Sequence, residues 1–67
     1  MDNAEIAKIA ALGLRSLIDN YLQEKPTDEE LKRVYSIYHK IVKLDPRYSY
    51  MKNDIYLLHN LPAGVLI

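Results

Sequence analysis

The sequence predicts a small all-α protein, a three-helix bundle in one domain that covers residues 1–67. Two observations predict this fold class. Apolar residues recur at the spacing of an amphipathic helix in three successive segments. Each segment is also bounded by residues that favour helix N-termini or by a proline. We therefore expect helices over about 3–23, 28–44 and 46–60, followed by an apolar tail over 61–67. The tail packs back on the bundle, inserts into a partner subunit, or is a terminal motif recognised by a protease or a peptide-binding domain.

The first predicted helix is apolar over an unusually wide arc of its surface. Asp2 or Asn3 is placed to cap its N-terminus, and Pro26 follows its end. At about 100° per residue the apolar arc covers roughly 220°, about twice the stripe that a helix needs to cover one core. The arc contains Ile6, Ile9, Ala10, Gly13, Leu14, Leu17, Ile18, Tyr21 and Leu22, and Leu12 interrupts the opposite polar arc. This helix needs neighbours on two sides, which are either the chain's other two helices or one of them and a second protein.

The second predicted helix combines a regular apolar arc with a basic polar face. Thr27 and Glu30 stand three residues apart, the spacing of a capping box at its start. Its polar side consists of Lys32, Arg33, Ser36, His39, Lys40 and Lys43, without an acidic residue. This face is either solvated, with bases that complement the C-terminal end of the helix, or a surface for nucleic acid.

Asp45 and Pro46 predict the start of the third helix, with Asp45 as the cap and the proline at the first helical position. The predicted inner edge consists of Tyr48, Met51, Ile55 and Leu58. Asp54 falls in the same arc. If it is buried, its carboxylate needs a hydroxyl or a cation, and a neighbouring tyrosine offers a hydroxyl.

The composition leaves association as the main support for a chain of this size. Chains below roughly 70–80 residues often depend on disulfides, a metal or a partner subunit. This chain has no cysteine, which excludes disulfides and thiolate zinc sites. Its six aromatic residues are all tyrosines, a side chain that suits half-buried positions and interface rims. Residues 1–30 carry seven acidic and three basic side chains, whereas residues 31–67 carry two acidic and six basic ones.

No residue pattern predicts an enzyme, a cofactor site or a metal site. His39 and His59 stand twenty positions apart without ligand-spaced companions, and the two glycines form no phosphate-binding loop. No segment approaches the roughly 20 apolar residues of a membrane span, and the N-terminus lacks a leader pattern. We expect a non-enzymatic, cytoplasmic protein without a small-molecule substrate.

Protein binding is the function that the sequence favours. The chain would be a small regulator, adaptor or inhibitor that occupies a partner's surface, as a homodimer. The first helix would supply the packed seam, and tyrosines would supply the rigid anchors that dominate binding energy. The candidate residues are Ala10, Gly13, Leu14, Leu17 and Ile18 in the seam, with Tyr35, Tyr38, Tyr48 and Tyr50 as anchors. A structural subunit of a larger assembly would differ from this mainly in stoichiometry.

Nucleic-acid binding is the alternative hypothesis. The second and third helices would form a helix-turn-helix-like pair, with the third helix in the DNA major groove. The groove-facing candidates are Ser49, Lys52, Asn53, Tyr56 and His59, and the phosphate-binding candidates are Lys40, Lys43 and Arg47. The zero net charge of the chain argues against this hypothesis.

Overall fold

A computed structural model describes residues 2–60 of the chain and confirms the all-α fold class. Helix α1 covers Asn3–Gln23 and helix α2 covers Asp28–Leu44. A 3₁₀ segment, Pro46–Tyr50, then leads directly into helix α3, Met51–His59. No β-strand occurs among residues 2–60. The predicted tail lies outside the described residues.

Side-chain caps fix the ends of the first two helices. The Asp2 carboxylate accepts a hydrogen bond from the Glu5 backbone N–H at 2.9 Å and starts α1. At α2 the capping box is complete: the Thr27 hydroxyl accepts from the Glu30 N–H at 3.2 Å, and the Glu30 carboxylate accepts from the Thr27 N–H at 2.9 Å. The Tyr21 hydroxyl donates to the second Glu30 oxygen at 3.0 Å. These bonds, with the Thr27 N–H contributing most, lower the pKa of Glu30, and they tie the end of α1 to the start of α2.

The predicted third helix over 46–60 is not one continuous α-helix, and this part of the prediction is corrected. Its first turn is 3₁₀, in which the Tyr48 N–H donates to the Asp45 carbonyl three residues earlier at 3.3 Å. The tighter turn brings side chains three positions apart to one side, so Tyr48 and the buried Met51 point the same way. The Tyr38 hydroxyl also donates to the Ser49 carbonyl at 3.0 Å. That oxygen is therefore held by α2.

The core lies between the three helices and draws on all of them. It consists of Ala7, Ala11, Leu14 and Ile18 of α1, Leu31, Val34, Tyr38 and Ile41 of α2, and Met51, Ile55 and Leu58 of α3. Helix α1 packs mainly on α2, which follows it after a short connection, and α3 lies against both. The molecule is elongated, with extents of 41 × 18 × 16 Å.

An ion pair joins α1 to α3. The Arg15 guanidinium contacts the Asp54 carboxylate at 2.6 Å, and this hydrogen bond raises the pKa of Arg15. Asp54 is half-buried, and its carboxylate is paired with a cation, one of the two kinds of partner expected from the sequence. The cation is Arg15 of α1, whereas the sequence had suggested a neighbouring tyrosine.

Candidate interaction surfaces

The predicted seam on α1 divides between the core and the surface. Leu14 and Ile18 are each 1% exposed and pack inside the monomer, so no partner can reach them. Ala10 and Leu17 are half-buried against the core, and Gly13 is exposed. Two of the five seam residues are thus committed to the fold.

The exposed apolar part of α1 lies on the side of the helix that faces away from the core. Ile6, Ile9 and Leu12 are 39%, 57% and 65% exposed. Nine residues separate Ile9 from the buried Ile18, which at about 100° per residue places them on opposite sides of the helix. We call the set of Ile6, Ile9, Leu12 and Gly13 the outer face of α1.

The three aliphatic members of this face, Ile6, Ile9 and Leu12, were not among the binding residues predicted from the sequence. Ile6 and Ile9 lie within the wide apolar arc, but the arc alone does not show which part turns toward α2. Leu12 gave the clearer signal, because it is a large apolar residue within the polar arc.

Gly13 occupies a position where the fold itself does not require a glycine. A Cβ atom built on Gly13 meets no atom of the described residues within 4 Å. In a helix interior glycine costs about 0.8–1.0 kcal/mol relative to alanine. Gly13 is also the middle residue of the 21-residue α1. The packing of residues 2–60 therefore gives no reason for this cost.

The four tyrosines predicted as anchors have different environments. Tyr38 is buried, and Tyr35 and Tyr48 are half-buried. Tyr50 is 59% exposed and lines one cleft of about 260 Å³ together with Leu12. Tyr50 therefore extends the outer face of α1 toward the 3₁₀ segment.

The basic face of α2 is exposed over its whole length. Lys32, Arg33, Lys40 and Lys43 are all exposed, and none forms an ion pair within residues 2–60. Arg47 differs, because its guanidinium binds both oxygens of the Asp45 carboxylate at 2.7–3.1 Å. These hydrogen bonds lower the pKa of Asp45, and the Arg47 charge is already paired inside the chain.

The groove-facing residues of the nucleic-acid hypothesis are also exposed. Ser49, Lys52, Asn53, Tyr56 and His59 all lie at the surface. Helix α3 has only nine residues, however, and Ser49 belongs to the 3₁₀ segment before it. The structure brings His59 against Tyr35 of α2 and Tyr56 against His59, whereas the Arg47 guanidinium is bound by Asp45.

A row of four aromatic rings crosses from α3 to α2. These four residues were not predicted as a group from the sequence. In order the row consists of Tyr56, His59, Tyr35 and His39, with successive ring centroids 6.2, 5.5 and 6.3 Å apart. The His59 Nε2 and the Tyr35 hydroxyl are 2.9 Å apart, a hydrogen-bond distance. We call these four residues the ring row. Its members come from separate helices, so no local spacing in the sequence indicates it.

Within residues 2–60 no three His, Asp or Glu side chains are grouped as metal ligands. None of the helices in this range combines the length and apolar character needed to cross a bilayer. No protein-family model, curated protein or solved structure matches the chain. The fold and its surfaces define a class only: a small all-α three-helix protein with an apolar face on one helix and a basic face on the next.

Proposed function

We propose that the chain is a non-enzymatic protein-binding module that acts by surface occupation, and that it does so as a homodimer formed through the outer face of α1. The observation that carries the proposal is the exposure of Ile6, Ile9 and Leu12 on one half of one helix. Single exposed apolar residues are ordinary, but a contiguous apolar patch marks an interaction site. Tyr50, next to this face, adds an exposed aromatic anchor.

The apolar side chains of this face contribute about as much as association costs, so on their own they support a weak dimer. Moving an Ile or Leu side chain from full exposure to burial contributes roughly 1.5–3 kcal/mol, and these three are about half exposed. A symmetric pair buries six of them. Their combined contribution falls within the roughly 4–15 kcal/mol that association costs.

The position of Gly13 favours a second copy of this chain as the occupant. A two-fold interface uses the same patch on both subunits. If two antiparallel α1 helices cross between Ile9 and Gly13, Ile9 of each copy lies opposite Gly13 of the other, and the apolar residues of the two copies meet. The missing side chain lets the two backbones approach closely at that point.

The experiment is to measure the average molar mass of the protein in solution as a function of its concentration, by sedimentation equilibrium. The wild-type chain is expected to dimerise. Ile9→Glu is expected to be monomeric at the same concentration, because it places a charge in the outer face of α1. Leu14→Glu is unsuitable, since Leu14 lies in the core and its loss would unfold the monomer.

Leu57→Glu is the matched control, because Leu57 on α3 is 56% exposed and Ile9 is 57% exposed. Circular dichroism must show that both variants remain helical. A wild-type chain that stays monomeric at high micromolar concentration would end the homodimer proposal. Equal effects of the two variants would show that the outer face of α1 is not the interface.

A further inference from the structure

We propose that the ring row and the lysines beside it form a binding surface for single-stranded nucleic acid. This proposal is independent of the homodimer. The outer face of α1 points away from α2, whereas the ring row lies on α2 and α3, so one surface leaves the other free.

The rings supply stacking surfaces that solvent can reach. Tyr56, at one end of the row, is 60% exposed, and His59 and His39 are also exposed. Tyr35 is half-buried between the two histidines, with its hydroxyl within 2.9 Å of His59 Nε2. Exposed aromatic faces bind successive unpaired bases without regard to sequence, because every base has a π-face.

Three lysines flank the ring row, one at each end and one beside its centre. Lys32 lines a groove with Tyr35 and His59. Lys43 follows His39 by one helical turn, and Lys52 precedes Tyr56 by one turn. Lys43 therefore lies beside the His39 end of the row and Lys52 beside the Tyr56 end, whereas Lys32 lies beside its two central rings. None of the three makes an ion pair within residues 2–60.

Few carboxylates oppose this positive charge. Helix α2 has no acidic residue after Glu30, and the Asp54 carboxylate of α3 is paired with Arg15. Asp28 lines the same groove as Lys32, beside the centre of the row. The surface is therefore basic with aromatic rings at its centre, which complements a phosphate backbone that carries unstacked bases.

The observations favour a single strand over a duplex or an acidic protein segment. A duplex hides the faces of its bases, so exposed rings would have nothing to stack on. An acidic segment would pair with the lysines and leave the rings unused. Groove binding would also use Arg47, which is held by Asp45.

The test is fluorescence anisotropy with a labelled oligothymidylate of about 12 nucleotides, a length that single-strand-binding folds accommodate. The wild-type chain is expected to bind at low salt, and Tyr56→Ala is expected to raise the Kd about tenfold, the typical effect of one lost stacking contact. Leu57→Ala is the matched control, because Leu57 lies on the same helix and is 56% exposed but is not part of the ring row. Its Kd is expected to stay unchanged, and circular dichroism confirms that both variants fold.

A second pair of variants tests the lysines. Lys43→Gln is expected to reduce the slope of log K against log salt by about 0.7, the value for one phosphate contact on a single strand. Lys8→Gln, on α1, is expected to leave the slope unchanged. No binding at low salt would overturn the proposal, as would equal losses for Tyr56→Ala and Leu57→Ala. Tighter binding of a duplex, or equal affinity for polyglutamate, would also overturn it.

Discussion

Helices α1 and α2 are alike on their inner sides and different on their outer sides. Each buries four residues in the core: Ala7, Ala11, Leu14 and Ile18 of α1, and Leu31, Val34, Tyr38 and Ile41 of α2. Opposite these residues, α2 exposes lysine and arginine, whereas α1 exposes Ile9 and Leu12 at more than half of their surface.

This difference shows which side chains of the two helices are required for the monomer fold and which are not. Four inward positions on each of these two helices suffice for their part of the core, and the outward side of α2 has the polar composition expected of a helix in water. No residue of the outer face of α1 belongs to the core of residues 2–60 or packs against it. Its apolar side chains therefore need an explanation outside the monomer, which the proposed dimer supplies.

The largest expected effect comes from comparing a leucine on the inner side of α1, Leu14, with a leucine on its outer side, Leu12. At concentrations where the chain is monomeric, Leu14→Ala is expected to lower the free energy of unfolding by about 2–5 kcal/mol, because it leaves a cavity in the core. Leu12→Ala, two positions earlier, is expected to change it by no more than about 0.5 kcal/mol. Urea denaturation measures both. Equal losses would break the comparison, since they would show that Leu12 is also packed within the chain.

A smaller effect is expected at Gly13, where a substitution should stabilise the monomer but weaken the dimer. Gly13→Ala is expected to stabilise the monomer by about 0.5–1 kcal/mol, because alanine is the better helix former and its Cβ meets no atom there. The same methyl group would separate two α1 helices that cross beside this residue, so the dimer is expected to weaken. Thermal unfolding of the dilute protein and sedimentation equilibrium give the two values. A variant that dimerises as well as the wild-type chain would contradict the close approach of the helices at Gly13.

The smallest expected effect concerns acid and the junction of α1 with α2. The pKa of Glu30 is lowered from its ordinary value of 4.5, first by the Thr27 N–H and then by the Tyr21 hydroxyl. A carboxylate with a lowered pKa in the folded state stabilises the fold above its unfolded pKa, and this contribution is lost as the pH falls through the folded value. The Tm is thus expected to fall as the pH drops below about 4.5.

The variant that isolates this contribution is Glu30→Gln, which retains a capping side chain without the charge. Its Tm is expected to depend less on pH in the acid range than that of the wild-type chain. Glu29→Gln, one position earlier, controls for the loss of one negative charge. If Glu29→Gln and Glu30→Gln flatten the acid profile equally, the capping contacts of Glu30 are not the cause.

Local signals in the sequence were sufficient for the fold class and for the first two helices. The Asp2 cap, the Thr27–Glu30 capping box and Pro26 each act within a few residues, so the helix boundaries they set can be predicted without the tertiary structure. The 3₁₀ segment was missed because a distant contact, the Tyr38 hydroxyl on the Ser49 carbonyl, accompanies the tighter turn. Contacts of this kind have no local pattern.

The candidate surfaces were less accessible to sequence reasoning for the same physical reason. An apolar arc shows which residues avoid water, but the position of α2 decides that Leu14 is buried and Ile9 is not. The partner of Asp54 is 39 positions away at Arg15, and the ring row joins two helices. Each of these features depends on tertiary placement.

The short connections between the helices also affect the kinetics of folding. Helices α1 and α2 meet through residues that are close along the chain, and helical proteins with mainly local contacts fold in microseconds to milliseconds. Helix α3, with nine residues, is shorter than the roughly 12–15 residues at which isolated helices become even marginally stable. We therefore expect the hairpin of α1 and α2 to form first and to serve as the template on which α3 acquires its helical structure.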